Sequence, residues 1–321
     1  MRAETMTAVP ALTGREIWVR LLLYPSHSLP TAAAPVLVGI GLAWRDGIFE
    51  PLAIALGFFA SWVIHVGGLF NDNHELLRRH PQLPEHPELN LALRNGTLSL
   101  AALRNATIAC LLLALATAPY LLGAGGSLAF WFGVVGIASA YFYADGPKPY
   151  THLGLADPLF IVMFGFVAPV GTYYIQWAVA HPAAPHGVAA LLRLPLLQIC
   201  SVGLAVGALV TNVMVIDDIR DRHFDAIKGW RTVSTRFGLQ GGRDWYLALT
   251  VVAFAMPVVL WLSSAFSAWV LLPWLTLPLA VHVLRAVRTR SETRELIMMT
   301  PRASYLSAIY SALLGIGVAV N

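Results

Sequence analysis

Nine stretches of mostly apolar residues recur along the chain, at approximately 27–45, 50–70, 99–119, 127–143, 155–177, 194–216, 245–263, 266–284 and 302–320. A bilayer core about 30 Å thick is crossed by ~20 such residues in a helix, and inside it every backbone N–H and C=O must pair within its own segment. The runs therefore predict an all-α polytopic membrane protein. Only 12% of the 321 residues are charged and 57% are hydrophobic, against roughly 25% charged in a soluble domain. An ordinary soluble fold is excluded.

Charge then sets the sidedness. If the chain weaves through all nine runs, each of its 21 Lys and Arg residues except Arg45 and Arg193 falls on the side of the N-terminus. Cytoplasmic loops carry such an excess, so that side is expected to be the cytoplasm. The net charge of +4 is thus a topology signal, and no nucleic-acid partner is implied. Cys110 and Cys200 lie inside apolar runs, where a thiol acts as a small hydrophobe, and suggest neither a disulfide nor a thiolate metal site. No cleavable signal is expected ahead of the first run.

Asp217, Asp221 and Asp225 follow the sixth run at i, i+4, i+8. Each step of four drifts only ~40° around a helix, so one face would carry all three carboxylates. Uncompensated, they would repel and call for a positive partner, and oxygen-only donors favour a hard cation such as Mg²⁺. A solvated loop of mixed charge is the plainer alternative. Parity weighs against it: Asn71, Asp72 and Glu75 close the second run on the same side, so the two acidic clusters can face one cavity. Residues 71–98 and 217–244 are accordingly expected to be cytoplasmic active-site loops, after a cytoplasmic segment over 1–26.

Pro81, Pro84 and Pro87 forbid one continuous helix after the first cluster and leave a segment able to cap a cavity. His74, His80 and His86 recur every six residues, which is no zinc spacing. Lys148, in the turn after the fourth run, can reach a phosphate or simply mark the cytoplasmic side. Tyr173, Tyr174 and Trp177 suit an interfacial aromatic belt as well as a cavity wall. Arg285, Arg288, Arg290, Arg294 and Arg302 read as topology determinants, with anionic lipid as a possible contact. No Walker loop, dinucleotide fingerprint or heptad array is present.

The two clusters, NDNHELLRR (Asn71 to Arg79) and DDIRDRHFD (Asp217 to Asp225), with Gly229, Arg231, Thr232 and the RFG of 236–238, resemble the paired Asp-rich motifs of the UbiA superfamily of intramembrane prenyltransferases. SLPTAAAPVLVG (28–39), the Tyr-x-x-Gly-Pro of Tyr143 to Pro147, GLAD (154–157) and FGFVAPVGTYY (164–174) are most similar to its menaquinone-pathway branch. The resemblance implies one transmembrane domain over 1–321, a nine-helix bundle whose central cavity opens to the cytoplasm of a bacterial-type inner membrane. It implies Mg²⁺-dependent transfer from a prenyl diphosphate to an aromatic acceptor, 1,4-dihydroxy-2-naphthoate or a related quinone or quinolone precursor.

Carried onto this sequence, the resemblance implies Asp72, Glu75, Asp217, Asp221 and Asp225 as metal ligands. Asn71, Lys148, Arg220, Lys228 and Arg231 would contact the diphosphate, and Tyr141, Tyr143, Tyr173 and Tyr174 would face the allylic cation. The chain departs from the pattern at Glu75 and Arg79, where aspartates are usual, at Trp230 in place of Lys, and at Pro25-Ser26 in place of Arg-Pro. Arg79 cannot bind a metal, so the first cluster is expected to hold Mg²⁺ with fewer ligands or to hold diphosphate through that cation. A terpene cyclase on the same scaffold is the rival reading. A transporter or scaffold would instead place acids along a path across the bilayer.

Overall fold

A computed structural model describes residues 12–23, 28–290 and 293–320; Pro25 and Ser26 lie outside them. The described residues form helices and connecting turns, with no strand. In chain order these are α1 (Gly14–Leu23), α2 (Ser28–Arg45), α3 (Pro51–Arg79), α4 (Pro87–Arg94), α5 (Leu100–Leu115), α6 (Ala118–Phe142), α7 (Tyr150–Leu153) and α8 (Ala156–Val162). A π-helical turn, Met163–Val167, joins α8 to α9 (Ala168–Ala180). Then come α10 (Leu196–Lys228), α11 (Val233–Leu262), a 3₁₀ segment over Ala268–Thr276, α12 (Leu277–Thr289), α13 (Thr293–Leu296) and α14 (Met299–Ala319).

Each apolar run falls on helix. Among the described residues, six helical segments are long and apolar enough to cross a membrane: α3, α6, α8–α9, α10, α11 and the 3₁₀–α12 segment. α5 is apolar but shorter.

The segments expected as loops after the second and sixth runs begin as helix. α3 continues to Arg79 and α10 to Lys228. The reason is electrostatic: Glu75 pairs with Arg78 and Arg79, Asp217 with Arg220, and Asp225 with Lys228, all at i,i+3 or i,i+4, spacings at which opposite charges support a helix. Gly229 then stops α10 in the left-handed region at φ 77°, with the Trp230 N–H donating to the Asp225 carbonyl at 2.9 Å. Pro81 and Pro84 lie beyond the end of α3, and Pro87 opens α4 at a first-turn position that needs no N–H.

α10 is the axis of the bundle. Val202, Val206, Leu209, Val213, Ile216 and Ile219 are all buried along it. Within a bilayer helices gain little from hydrophobic burial against one another, and close approach of small residues takes over. A Cβ on Gly203 would lie 1.9 Å from the Gly165 carbonyl oxygen, and one on Gly41 of α2 only 2.3 Å from the Gly315 oxygen of α14. A second apolar cluster, including Ile17, Leu21, Phe70, Leu77, Leu89 and Leu98, packs α1 and α4 over the acidic end of α3.

Candidate active site

A cavity of about 1000 Å³ lies between α3, α6, α8–α9 and α10, with residues 85–89 at one end. Asp72 reaches it from α3, and Asp217, Asp218, Asp221 and Asp225 reach it from α10. The helical spacing thus brings its three aspartates to one cavity. It also brings Asp218, which sequence reasoning passed over. The signal was present, since 218, 221 and 225 follow the 3-4 spacing of a single helix face.

The α10 carboxylates are not the uncompensated row that their spacing suggested. Arg220 Nη1 lies 2.5 Å from Asp217 Oδ1, and its Nε donates to Asp221 Oδ1 at 2.9 Å and Oδ2 at 3.0 Å. Thr300 of α14 donates to Asp217 Oδ1 at 2.6 Å. Lys228 Nζ lies 2.9 Å from Asp225 Oδ1 and 3.0 Å from Glu85 Oε1, 3.8 Å above the Trp230 ring. The helix therefore supplies its own cations at Arg220 and Lys228, both of which line the cavity. Asp218 is left over: it is buried, and Oδ2 has no hydrogen-bond partner. Asp72 has no ion-pair partner among the described residues either.

This donor set fits Mg²⁺. It is all oxygen, and Asp218 presents a buried carboxylate oxygen that nothing satisfies. Among the described residues no three His, Cys, Asp or Glu side chains converge tightly enough to cage an ion. Mg²⁺ takes one or two protein carboxylates and completes its shell from phosphate oxygens and water.

The first motif behaves differently from expectation. Glu75 is 4% exposed and does not line the cavity. Its oxygens accept from Arg78 Nε at 2.9 Å and Nη2 at 2.5 Å and from Arg79 Nε at 2.7 Å, with His74 Nδ1 at 3.0 Å. Two arginines one turn away on its own helix hold it there. Asn71 is also turned away, donating to the Tyr141 carbonyl at 3.3 Å, while Asn73 lines the cavity in its place.

Lys148 and Arg231 are exposed and outside the lining. The Arg231 backbone N–H instead donates to the Thr151 carbonyl at 2.8 Å, tying the segment after α10 to α7. Tyr141 is exposed, and Tyr173 is drawn from the cavity by a 2.5 Å hydrogen bond to Asp46. Tyr143 and Tyr174 do line it, the latter with its hydroxyl on the Gly125 carbonyl.

From the acidic end, where Trp230 lies against Lys228, the rings form a continuous wall that sequence reasoning did not assemble. Trp230 meets Tyr143 at 6.1 Å, Tyr143 meets Phe160 at 5.8 Å, Phe160 meets Phe164 at 5.2 Å and Phe164 meets His65 at 5.9 Å. All five line the cavity. His86 closes the acidic end, where burial lowers its pKa despite the nearby charges of Glu85 and Asp221.

Known proteins are similar to this chain in sequence and in fold. The UbiA prenyltransferase family matches residues 32–306. The 1,4-dihydroxy-2-naphthoate octaprenyltransferase of Escherichia coli (strain K12) is 26% identical over 267 residues, covering 81% of this chain and 82% of that protein. The protein of the same name from Mycobacterium tuberculosis is 32% identical over 165 residues, covering 51% and 50%. Among solved structures, the apo UbiA homolog from Aeropyrum pernix K1 superposes with TM-score 0.62 at 17% identity, over 87% of this chain and 96% of that one. The UbiA homolog from Archaeoglobus fulgidus bound to GPP and Mg²⁺ gives 0.56 at 15% identity, over 93% and 99%. The chain is an integral membrane protein that belongs to the UbiA prenyltransferase family, and its enzymatic class is that of a prenyltransferase.

Proposed function

We propose that this protein transfers a prenyl group from a prenyl diphosphate to 1,4-dihydroxy-2-naphthoate or a closely related aromatic quinone precursor, with Mg²⁺, in a nine-span bundle whose acidic end faces the cytoplasm. One observation carries the reading: carboxylates from α3 and α10 share a cavity with a run of aromatic rings that starts beside them. The shared name of the E. coli and M. tuberculosis relatives supports the acceptor class. The ligands of the A. fulgidus homolog support the donor and the metal. α10 supports the span geometry, since Gln198, on Arg45 at 2.7 Å, and Asp217 are separated along it by about 28 Å of helix.

Asp72, Asp217, Asp218, Asp221 and Asp225 offer the carboxylates from which one or two would hold each Mg²⁺, with diphosphate and water completing its shell. When bound, Mg²⁺ supplies charge neutralisation for a departing diphosphate. Arg220 offers a planar fork of donors to the same oxygens, and Lys228 a point charge. The wall from Trp230 to His65 excludes water and turns ring faces and edges toward the allylic carbon. Each well-placed ring attracts a developing cation by about 0.5–2 kcal/mol. The same rings give a flat acceptor a surface to lie on while its electron-rich carbon attacks. With a naphthoate the carboxylate leaves as CO₂, so no base is needed at the attacked carbon.

The test is mass spectrometry of products from purified protein given prenyl diphosphates of several lengths, with and without dihydroxynaphthoate and quinolone acceptors. A prenylated naphthalene, absent without acceptor and lost in Asp221→Ala, is the expected result. A cyclic hydrocarbon formed without acceptor would assign a cyclase instead.

A further inference from the structure

The first acidic motif delivers one carboxylate to the cavity, Asp72, because Arg78 and Arg79 keep Glu75. Another arrives from outside both motifs. Glu85 sits in the turn between α3 and α4, and that turn is built. The Leu83 N–H donates to the His80 carbonyl at 3.0 Å, the Asn90 side-chain amide donates to the Leu83 carbonyl at 2.6 Å, and Leu83 and Leu89 are buried. The Glu85 side chain is 7% exposed and lines the cavity. Its charge acts on both Asp72 and Asp225.

The two oxygens of Glu85 are not equivalent. Oε1 accepts from Lys228 Nζ at 3.0 Å, whereas Oε2 is buried and has no hydrogen-bond partner. A buried carboxylate oxygen without a partner is costly. Asp218 Oδ2, lining the same cavity, is in the same condition. Neither orphan has a protein donor to satisfy it. A hard divalent cation is the kind of partner that each of them lacks.

We infer that Glu85 is a ligand of the divalent cation at this site, supplied by the α3–α4 turn in place of Glu75. The inference rests on the metal–diphosphate reading given above. Lys228 fixes one Glu85 oxygen and leaves the other to the metal. The turn that closes the acidic end is thereby tied to cation loading. No bond is made or broken, and the chemistry is coordination alone.

Mn²⁺ titration of the full chain in detergent, with inorganic pyrophosphate present and protein-bound ion counted by equilibrium dialysis against the same pyrophosphate buffer, tests it. Glu85→Gln keeps an acceptor for Lys228 but removes the charge, and is expected to weaken Mn²⁺ binding by about tenfold or more. Glu75→Gln is expected to leave it within about twofold. Asp221→Asn serves as the control. Loss in Asp221→Asn with wild-type binding in Glu85→Gln overturns the Glu85 assignment alone. Wild-type binding in Asp221→Asn, or none in the unaltered protein, overturns the metal–diphosphate reading and this inference with it. Should Glu85→Gln fail to fold, Glu85→Asp decides: intermediate binding supports a ligand, and unchanged binding refutes one.

Discussion

Arg220 grips Asp221, its neighbour in sequence, through Nε to both carboxylate oxygens at 2.9 and 3.0 Å, while its other arm holds Asp217. A cation shared by two carboxylates is poised to be shared again when a diphosphate arrives. Arg220→Met should raise KM for the prenyl diphosphate by about ten- to a hundredfold. Mn²⁺ binding without diphosphate should tighten, because two acids lose their competitor. Steady-state kinetics beside a metal titration separate the two effects, and a KM unchanged from wild type would refute the role given to Arg220.

Asp218 sets stability against activity. It is buried with no partner on Oδ2, so removing its charge in Asp218→Asn should stabilise the metal-free protein by about 1 kcal/mol or more, even though the amide is left unpaired in its turn. The same change should lower prenyl transfer by about a hundredfold or more. Thermal unfolding in chelator reads the first and product formation the second. Movement of both in the same direction would contradict the assignment.

Asp72 and Glu75 lie one turn apart on α3 but face different surroundings. Asp72→Asn should reduce kcat/KM by about a hundredfold or more. Glu75→Gln, whose partners are Arg78 and Arg79 outside the cavity, should stay within about tenfold of wild type. Equal losses would mean that Glu75 turns inward during turnover.

Gly203 has no room for a methyl group, whereas a Cβ on Gly123 meets nothing within 4 Å. Gly203→Ala should destabilise the protein by about 1–3 kcal/mol or more by pushing the π turn that carries Phe164. Gly123→Ala should be silent. Thermal unfolding compares them, and reduced acceptor affinity in Gly203→Ala would report the displaced ring wall.

The helices were legible because a bilayer leaves a chain few alternatives, and the α10 acids because 3.6-residue periodicity is a local property. Hydropathy ends where charge begins, so it cut α3 and α10 short. Ion pairs such as Glu75 with Arg79, which carry the helix onward, score as polar loop. The fate of Glu75 was hidden for the same reason: its type suits a metal, and only the rotamers of Arg78 and Arg79 decide its direction. Tyr173 and Tyr174, adjacent in sequence, part company because Asp46 waits for one and the Gly125 carbonyl for the other. Glu85 could not be found by spacing, since its position depends on a turn closed by Asn90.

Where Gly203 meets Gly165 and Gly41 meets Gly315, backbone lies on backbone. At those points no side chain can change rotamer, so α2 is locked to α14 and α10 to the π turn between α8 and α9. α6, by contrast, buries only Gly125 and Leu128, and it shares the cavity with α3 across Gly57, Gly68, Gly133 and Gly136. If a long prenyl tail were to enter from the side, the sparsely buried α6 would give way before the glycine-locked helices, which would stand as the frame.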